Sequence, residues 1–405
     1  MHPEELIKWA ESPNQIPRSW LAWAAPILAA MAILGAVIWA ARGMATPFLV
    51  VVIAEAVLTY WWKKPMEAVL HGTETAFPDL ELLSGVMARM EGHRFQSLEL
   101  QSLQRELLSD HVRASRAIAK LRSLVDLILS RNNIFVRIID VPLMYSLQLA
   151  LAAERWRQAH GHAVKRWLAV VGEMEALLSL AAYADEHPDD AFPELAAEDT
   201  LFEAEDLGHP LLPSATCVRN NVTIGGDAQV LLVSGSNMSG KSTLLRAVGI
   251  NTVLAMAGAP VRARTLRLSP LRVGASIRIN DSLQEGSSRF YAEITRLRQI
   301  LDLAGGVPPA LFLLDELLQG TNSKDRRIGG EGIVRALVER GSIGLVSTHD
   351  LALADIAGNL DGRLHNVHFQ DELTHGRMTF DYKLRDGVVT KSNGLELMRS
   401  IGLDV

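Results

Sequence analysis

Residues 235–243, Gly235-Ser236-Asn237-Met238-Ser239-Gly240-Lys241-Ser242-Thr243, place two glycines around a short variable stretch and follow them with a lysine and paired hydroxyls. Each residue type has a task in holding a polyphosphate. The glycines let the backbone turn its N–H groups toward phosphate oxygens, Lys241 neutralises the β and γ phosphates, and Ser242 offers an oxygen to Mg²⁺. A second set is acidic. Asp315 and Glu316 stand side by side, the first suited to the magnesium sphere and the second to orienting or deprotonating a water for attack on the γ phosphate. His349, in Thr348-His349-Asp350, adds a hydrogen-bonding group for that phosphate or water. Either carboxylate alone is explained as a charge meeting solvent. Together with the glycine-rich loop they predict binding and hydrolysis of ATP with Mg²⁺ as its companion ion.

Such chemistry needs three strand tips in one place. Val230 to Val233 is a short apolar run ending at the glycine-rich loop, and a helical pattern follows it. This is the strand, loop and helix order that the motif requires, with the positive end of the helix facing the phosphates. Ala310 to Leu314 is a second buried-strand pattern delivering Asp315 and Glu316, and Ile343 to Ser347 is a third delivering His349.

From about Gly208 to Leu397 the chain resembles the ATPase domain of the MutS family of DNA mismatch-repair proteins, a branch of the ABC ATPases. The Asn237-Met238 pair inside the loop is the most diagnostic match. His209-Pro210, Gly258-Ala259-Pro260-Val261, Gly286-Ser287-Ser288-Arg289-Phe290-Tyr291-Ala292-Glu293, Gly320-Thr321 and Ser347-Thr348-His349 follow in family order. The resemblance implies a head-to-tail homodimer in which Ser288 reaches the γ phosphate held by the partner subunit, and DNA as the ligand. It also has gaps. Ser236 replaces the usual proline, Ser239 a small residue that is commonly glycine or alanine, and Cys217 or Val218 stands where the family often has an aromatic residue beside the adenine. No counterpart of the mismatch-reading domain or of the connector domain is recognisable, so mismatch reading is not expected to carry over.

The N-terminal part has a different character. Trp20 to Ala41 runs 22 residues without a charge. As a helix at about 1.5 Å per residue it reaches roughly 33 Å, enough to cross a bilayer core. After Arg42 and Gly43, Met44 to Trp62 forms a second apolar stretch closed by Tyr60, Trp61, Trp62, Lys63 and Lys64, residues that favour a membrane interface. Glu55 inside it must be protonated, paired across a helix interface or close to water. Lys8, Arg18, Lys63 and Lys64 lie outside the two stretches and Arg42 alone between them. Both ends of the hairpin are thus expected on the cytoplasmic side of an inner membrane.

Between anchor and nucleotide machinery the pattern is helical. Leu98, Leu100, Leu103, Leu107 and Leu108 form one stripe, and Ile118, Leu121, Leu124, Val125 and Ile128 continue it. Asn132-Asn133 and Asp140-Val141-Pro142 mark turns around Ile134 to Ile139. A long helix follows from about Leu143 to Ala184 with a seam through Trp167, Val171, Met174, Leu178 and Ala181, and His187-Pro188-Asp189-Asp190 ends it as a linker. His160 and His162 have no third ligand type nearby and read as surface histidines.

The fold expected is therefore an α/β P-loop NTPase domain of ABC/MutS type over 206–405, preceded by a lever-like α-helical region over 66–205 and a transmembrane hairpin within 1–65, with helices at about 20–41 and 44–62. A formal charge of -6 excludes a globally attractive surface for nucleic acid, and a single cysteine, Cys217, excludes an internal disulfide framework. Any DNA contact must come from a local patch, for which Arg113, Arg116, Lys120 and Arg122 qualify, although a solvated helix face explains them too. The leading expectation is a membrane-anchored, dimeric ATP-driven DNA-binding switch. Its rival is a membrane-bound switch for protein assembly without DNA. An ABC-transporter-like ATPase fits less well, because two spans make a poor transport path and no L-S-G-G-Q signature precedes Asp315.

Overall fold

The computed structural model describes residues 3–16, 20–74, 79–109, 112–197, 199–277, 289–349, 360, 362–374 and 377–389. They fall into two units, residues 1–178 and 179–405.

The first unit is helical: α1 (Pro3–Ala10), α2 (Leu21–Arg42), α3 (Thr46–Glu74), α4 (Leu80–Gly92), α5 (Leu98–Glu106), the two-residue strands β1 (Leu108–Ser109) and β2 (Val112–Arg113), α6 (Ala114–Ser130), α7 (Ile134–Leu143) and α8 (Tyr145–Glu186), which runs on into the second unit. Helices α2 and α3 form a hairpin whose turn is set by Gly43, left-handed at φ 73°, its N–H bonding to the Trp39 carbonyl. Small residues face inward. Ala25, Ala29 and Ala32 are buried, and a Cβ on Gly35 would lie 2.9 Å from the Phe48 Cα, so that position must stay glycine for the helices to approach. The outward faces carry Trp23, Ile27, Ile33, Leu34 and Val37 on α2 and Leu49, Val50, Ile53 and Val57 on α3, all exposed. Glu55 is on the inner face, fully buried, and neither of its oxygens has a hydrogen-bond partner among the described residues. By length and composition α2, α3 and α8 are each able to cross a membrane.

A core of α4, α6 and the first half of α8 holds Leu83, Met87, Ile118, Leu121 and Trp167 fully buried, and Trp156 Nε1 donates to the Ala117 carbonyl at 2.7 Å. The leucine stripe of α5 is narrower than its spacing predicts. Leu103 and Leu107 are buried, whereas Leu98, the first residue of α5, and Leu108, which has left the helix for β1, are exposed. Likewise the α8 seam is occupied at Trp167 and Met174 and ends before Leu178, which is exposed. His160 is not a plain surface residue. Its ring packs 5.5 Å from Trp156 and 6.2 Å from Trp167.

The second unit contains β3 (Glu194–Leu195), β4 (Leu201–Leu207), β5 (Asn220–Gly225), β6 (Val230–Ser234), α9 (Lys241–Met256), β7 (Thr265–Leu268), β8 (Arg272–Ser276), α10 (Arg289–Ala304), β9 (Ala310–Leu314), α11 (Ser323–Glu339), β10 (Ile343–Thr348), β11 (Leu364–Thr374) and β12 (Arg377–Asp386). A six-stranded sheet runs β12-β11-β6-β10-β9-β8, parallel except for β12, and a four-stranded sheet runs β3-β7-β4-β5. Both faces of the central strands are covered. Leu231, Val233, Leu311, Leu313 and Leu345 pack toward α9, while Val230, Leu232, Phe312, Leu314 and Val346 pack among residues of α10 and α11, the period-two alternation of a fully buried strand. Gly344 is obligatory there, since a Cβ would fall 2.2 Å from the Phe312 carbonyl oxygen.

The end of α8 is tied down more firmly than a linker. Asp190 is buried, with Oδ1 accepting from Arg262 Nη1 at 3.0 Å and Oδ2 from the Tyr183 hydroxyl at 2.9 Å.

Candidate nucleotide site

Register brings the chemistry together. In the parallel ladder Ser234 of β6 lies opposite Thr348 of β10, and Leu314 of β9 lies opposite Val346. The next residues, Gly235, Asp315 and His349, therefore leave neighbouring strands at the same carboxyl-terminal edge, where open α/β sheets bind ligands.

The loop after β6 is built on positive backbone angles: Gly235 at φ 147°, Met238 at φ 68° and Gly240 at φ 109°. A Cβ at Gly235 would sit 2.8 Å from Ser239 Oγ and 3.0 Å from the Phe369 carbonyl oxygen, so the cradle closes only around glycine. Lys241 begins α9, is buried, and its Nζ donates to the Gly235 and Ser236 carbonyls at 2.8 and 2.7 Å. Burial lowers the Lys241 pKa, against the opposing pull of Glu316 and Asp315. The Oγ atoms of Ser236 and Ser239 are buried without partners among the described residues, while Asn237 and Met238 are exposed and Ser242 is half-buried. Thr243 is exposed on the first turn of α9. A loop with unused hydroxyls, a lysine folded onto carbonyls and a helix N-terminus fits a polyphosphate.

Asp315 and Glu316 are fixed by a residue of the neighbouring strand. Ser347 Oγ donates to Asp315 Oδ1 at 2.5 Å and accepts from the Glu316 N–H at 2.9 Å. Glu316 is left-handed at φ 54° and Leu318 at φ 56°, and this strained turn is held by Glu293 of α10, whose buried carboxylate accepts from the Leu318 N–H at 2.6 Å. His349 Nδ1 lies 3.9 Å from Glu316 Oε1 and 3.3 Å from Gln319 Nε2. Lys241, Ser242 and Glu316 line one cleft of about 490 Å³. Ser288 and Asp350 lie outside the described residues.

Several residues at the site have no local signal in the sequence. Tyr382 of β12 and Phe369 of β11 line the cleft and pack against the loop, and a Cβ at Gly240 would lie 3.2 Å from Tyr382 Cδ1. Tyr382 is left-handed at φ 55°, and Asn220 of β5 holds it there, donating to its carbonyl at 3.0 Å and accepting from the Leu384 N–H at 2.8 Å. Val218 also lines the cleft. His209 lines it as well, its pKa held below the ordinary histidine value by burial and by the Arg246 charge. The motif residues Gly258 to Val261 are structural: Gly258 ends α9 at φ 78°, and Ala259 and Val261 are fully buried.

Residues 231–404 match the family described as MutS domain V. The chain is 36% identical over 196 residues to endonuclease MutS2 of Thermus thermophilus, a match covering 48% of this chain and 25% of that protein. To DNA mismatch repair protein MutS 2 of Halobacterium salinarum it is 35% identical over 268 residues, 63% of this chain and 28% of the other. DNA mismatch repair protein MutS of Natronomonas pharaonis is 31% identical over 241 residues, 58% and 27% respectively. The chain thus spans about a quarter of the length of these relatives. The similarity to MutS domain V thus covers residues 231–404 of the α/β unit and leaves the helical N-terminal region outside the match.

Proposed function

We propose that this chain binds and hydrolyses ATP with Mg²⁺ and works as a MutS-like homodimeric switch, its ATPase domain in the cytoplasm and its α2–α3 hairpin in the inner membrane. Domain limits of 1–65 for the anchor, 66–205 for the helical region and 206–405 for the ATPase domain accompany this reading. The observation that carries it is the convergence of Lys241, Asp315, Glu316 and His349 at one sheet edge, with Ser347 bridging the two carboxylate residues.

In this reading the loop amides from Gly235 to Gly240, with Lys241, hold the phosphates, and Lys241 gives up its carbonyl bonds to reach them. Mg²⁺ supplies charge neutralisation between the phosphates. Among the described residues no three His, Cys, Asp or Glu side chains form a metal cage, which suits an ion held largely by phosphates and water, with Ser242 and Asp315 as protein ligands. Glu316 orients the attacking water and takes its proton as the water oxygen bonds to the γ phosphorus and the bond to the β-phosphate oxygen breaks, giving ADP and phosphate. His349 holds the γ phosphate or that water. Tyr382 packs against the base in place of the aromatic residue missing at Cys217 and Val218. Ser288 would close the site of the partner subunit. Glu316→Gln tests the scheme: ATP binding is retained and hydrolysis is lost, whereas unchanged hydrolysis would remove Glu316 from the mechanism.

DNA is the proposed ligand of the helical region, through Arg113 at the end of β2 and Arg116 and Lys120 on α6, all exposed. Arg122 is less available because its guanidinium pairs with Glu81 at 3.0 Å. That pairing keeps the rival reading, an ATP-controlled protein-assembly switch, in play. DNA affinity that falls steeply with salt and is lost in an Arg113→Ala, Arg116→Ala, Lys120→Ala variant supports the first reading. ATP-dependent self-association without DNA affinity supports the second.

A further inference from the structure

Helix α7 is the segment that the nucleotide site and the hairpin leave unexplained. It has ten residues and buries none of them fully. Ile134, Phe135, Ile138 and Ile139 are exposed, and their spacing puts them on one face of the helix. Water alone offers no reason for this, because four neighbouring large apolar side chains form a patch rather than the scattered exposure of an ordinary surface.

The helix is built to stay where it is. Asn133 caps its first turn by accepting from the Phe135 N–H at 3.0 Å. Asp140 is spent on the start of α8, accepting from the Ser146 N–H at 2.8 Å and from the Ser146 hydroxyl at 2.9 Å. With that carboxylate engaged, the charged groups left on and beside α7 are Arg137, exposed, and Arg131, half-buried. Its neighbours set its level along the hairpin. Helix α7 packs against both α2 and α3, and the chain on either side of it, Ile128 and Met144, joins Leu21, Ala25, Met66 and Leu70 in one buried cluster at the open end of the hairpin. At that same end Trp20 and Trp23 project from α2, and Tyr60 and Trp61 from α3, all exposed. Aromatic side chains so placed mark the headgroup level of a bilayer.

We infer that α7 is a third membrane element, lying in the cytoplasmic leaflet interface beside the hairpin, with Ile134, Phe135, Ile138 and Ile139 among the acyl chains and Arg137 toward lipid phosphates. An apolar face, a basic remainder and an aromatic belt at the same level are what an in-plane amphipathic helix needs. The inference rests on the proposed membrane hairpin, and the test separates the two.

In a Cys217→Ser background, a fluorophore is attached to a single cysteine at Phe135, Ile138, Ile53 or Leu98. Each full-length variant is reconstituted in phosphatidylcholine–phosphatidylglycerol vesicles carrying spin-labelled lipids. Ile53 is exposed midway along the apolar stretch Met44 to Trp62, and Leu98 is exposed on α5. Labels at Phe135 and Ile138 are expected to be quenched most by a spin label near the ester linkage, the label at Ile53 most by one near the chain terminus, and the label at Leu98 by neither. Quenching at Ile53 without quenching at Phe135 and Ile138 overturns the inference and leaves the hairpin standing. Absence of quenching at all three overturns both. Self-quenching between α7 labels, in place of lipid quenching, assigns the face to a second copy and likewise overturns it.

Discussion

Strand β9 and helix α2 are written in nearly the same apolar alphabet and meet opposite surroundings. Every residue of β9, Ala310 to Leu314, is buried by protein on both faces. Helix α2 is as free of charge up to Arg42, yet Trp23, Ile27, Ile33, Leu34 and Val37 stand exposed. Hydrophobicity says that water is to be excluded; it does not say whether protein or lipid excludes it. Length separates the two cases: a five-residue strand needs neighbours, while a 22-residue helix is long enough for a bilayer to serve instead. Polar groups follow the same division. In the nucleotide unit they gather at strand ends with partners, whereas in the hairpin the buried carboxylate of Glu55 has no hydrogen-bond partner among the described residues.

The contrast can be broken at several points. The largest effect is expected at the strand tips, where Glu316→Gln should lower single-turnover ATP hydrolysis by about 10²–10⁴-fold, the usual contribution of a general base, while radiolabelled ATP is retained. Next is the protein-buried apolar class. Phe312→Ala should destabilise the nucleotide unit by about 3–5 kcal/mol, read by thermal unfolding of the full chain in detergent. The exposed apolar class, which faces lipid in the proposed hairpin, should respond differently: Ile27→Asp is expected to cost about 2.5–3.5 kcal/mol on insertion and to lower the membrane-integrated fraction. It should leave the unfolding temperature of the nucleotide unit unchanged, and a drop equal to that of Phe312→Ala would erase the distinction.

Smaller effects sharpen the site itself. Tyr382→Ala should weaken ATP binding by up to about tenfold, the scale of an aromatic contact worth about 0.5–1.5 kcal/mol, with Tyr382→Phe near the parent value. The smallest effect concerns pH. Since the His209 pKa is lowered in the folded chain from 6.5, the unfolded chain binds more protons just below that value. Stability should therefore rise as pH increases from the folded pKa toward 6.5 and level off above it. A His209→Gln variant should show a shallower slope over that window in denaturant titrations.

Much of the site was readable because its parts are contiguous. Residues 235–243 form a loop whose function depends on local backbone freedom, and Asp315-Glu316 and His349 each end an apolar run short enough to be recognised as a strand. Residues that arrive from elsewhere gave no such signal. Tyr382 sits in an antiparallel edge strand, Asn220 in the other sheet, and Glu293 on a helix, and only the packing sets them beside the loop. Ser347 was visible as a strand residue, but its bridge from Asp315 to Glu316 depends on the β9–β10 register. Asp190 read as linker because Pro and Asp end helices; its burial against Arg262 is a tertiary fact. Ile134 to Ile139 read as a run between turns, and it is helical through Leu143 because Asn133 caps one end and Met144 turns left-handed at the other.

The sequence alone determined which segments exclude water, which loop has a backbone free enough to wrap phosphates, and where acid and base residues leave their strands. These depend on side-chain type and spacing within one element. Tertiary structure decided which apolar faces protein covers, which strand tips become neighbours, and which distant side chains lock them in place. Parallel register and helix packing are properties of pairs of elements, and no single stretch of chain encodes the position of its partner.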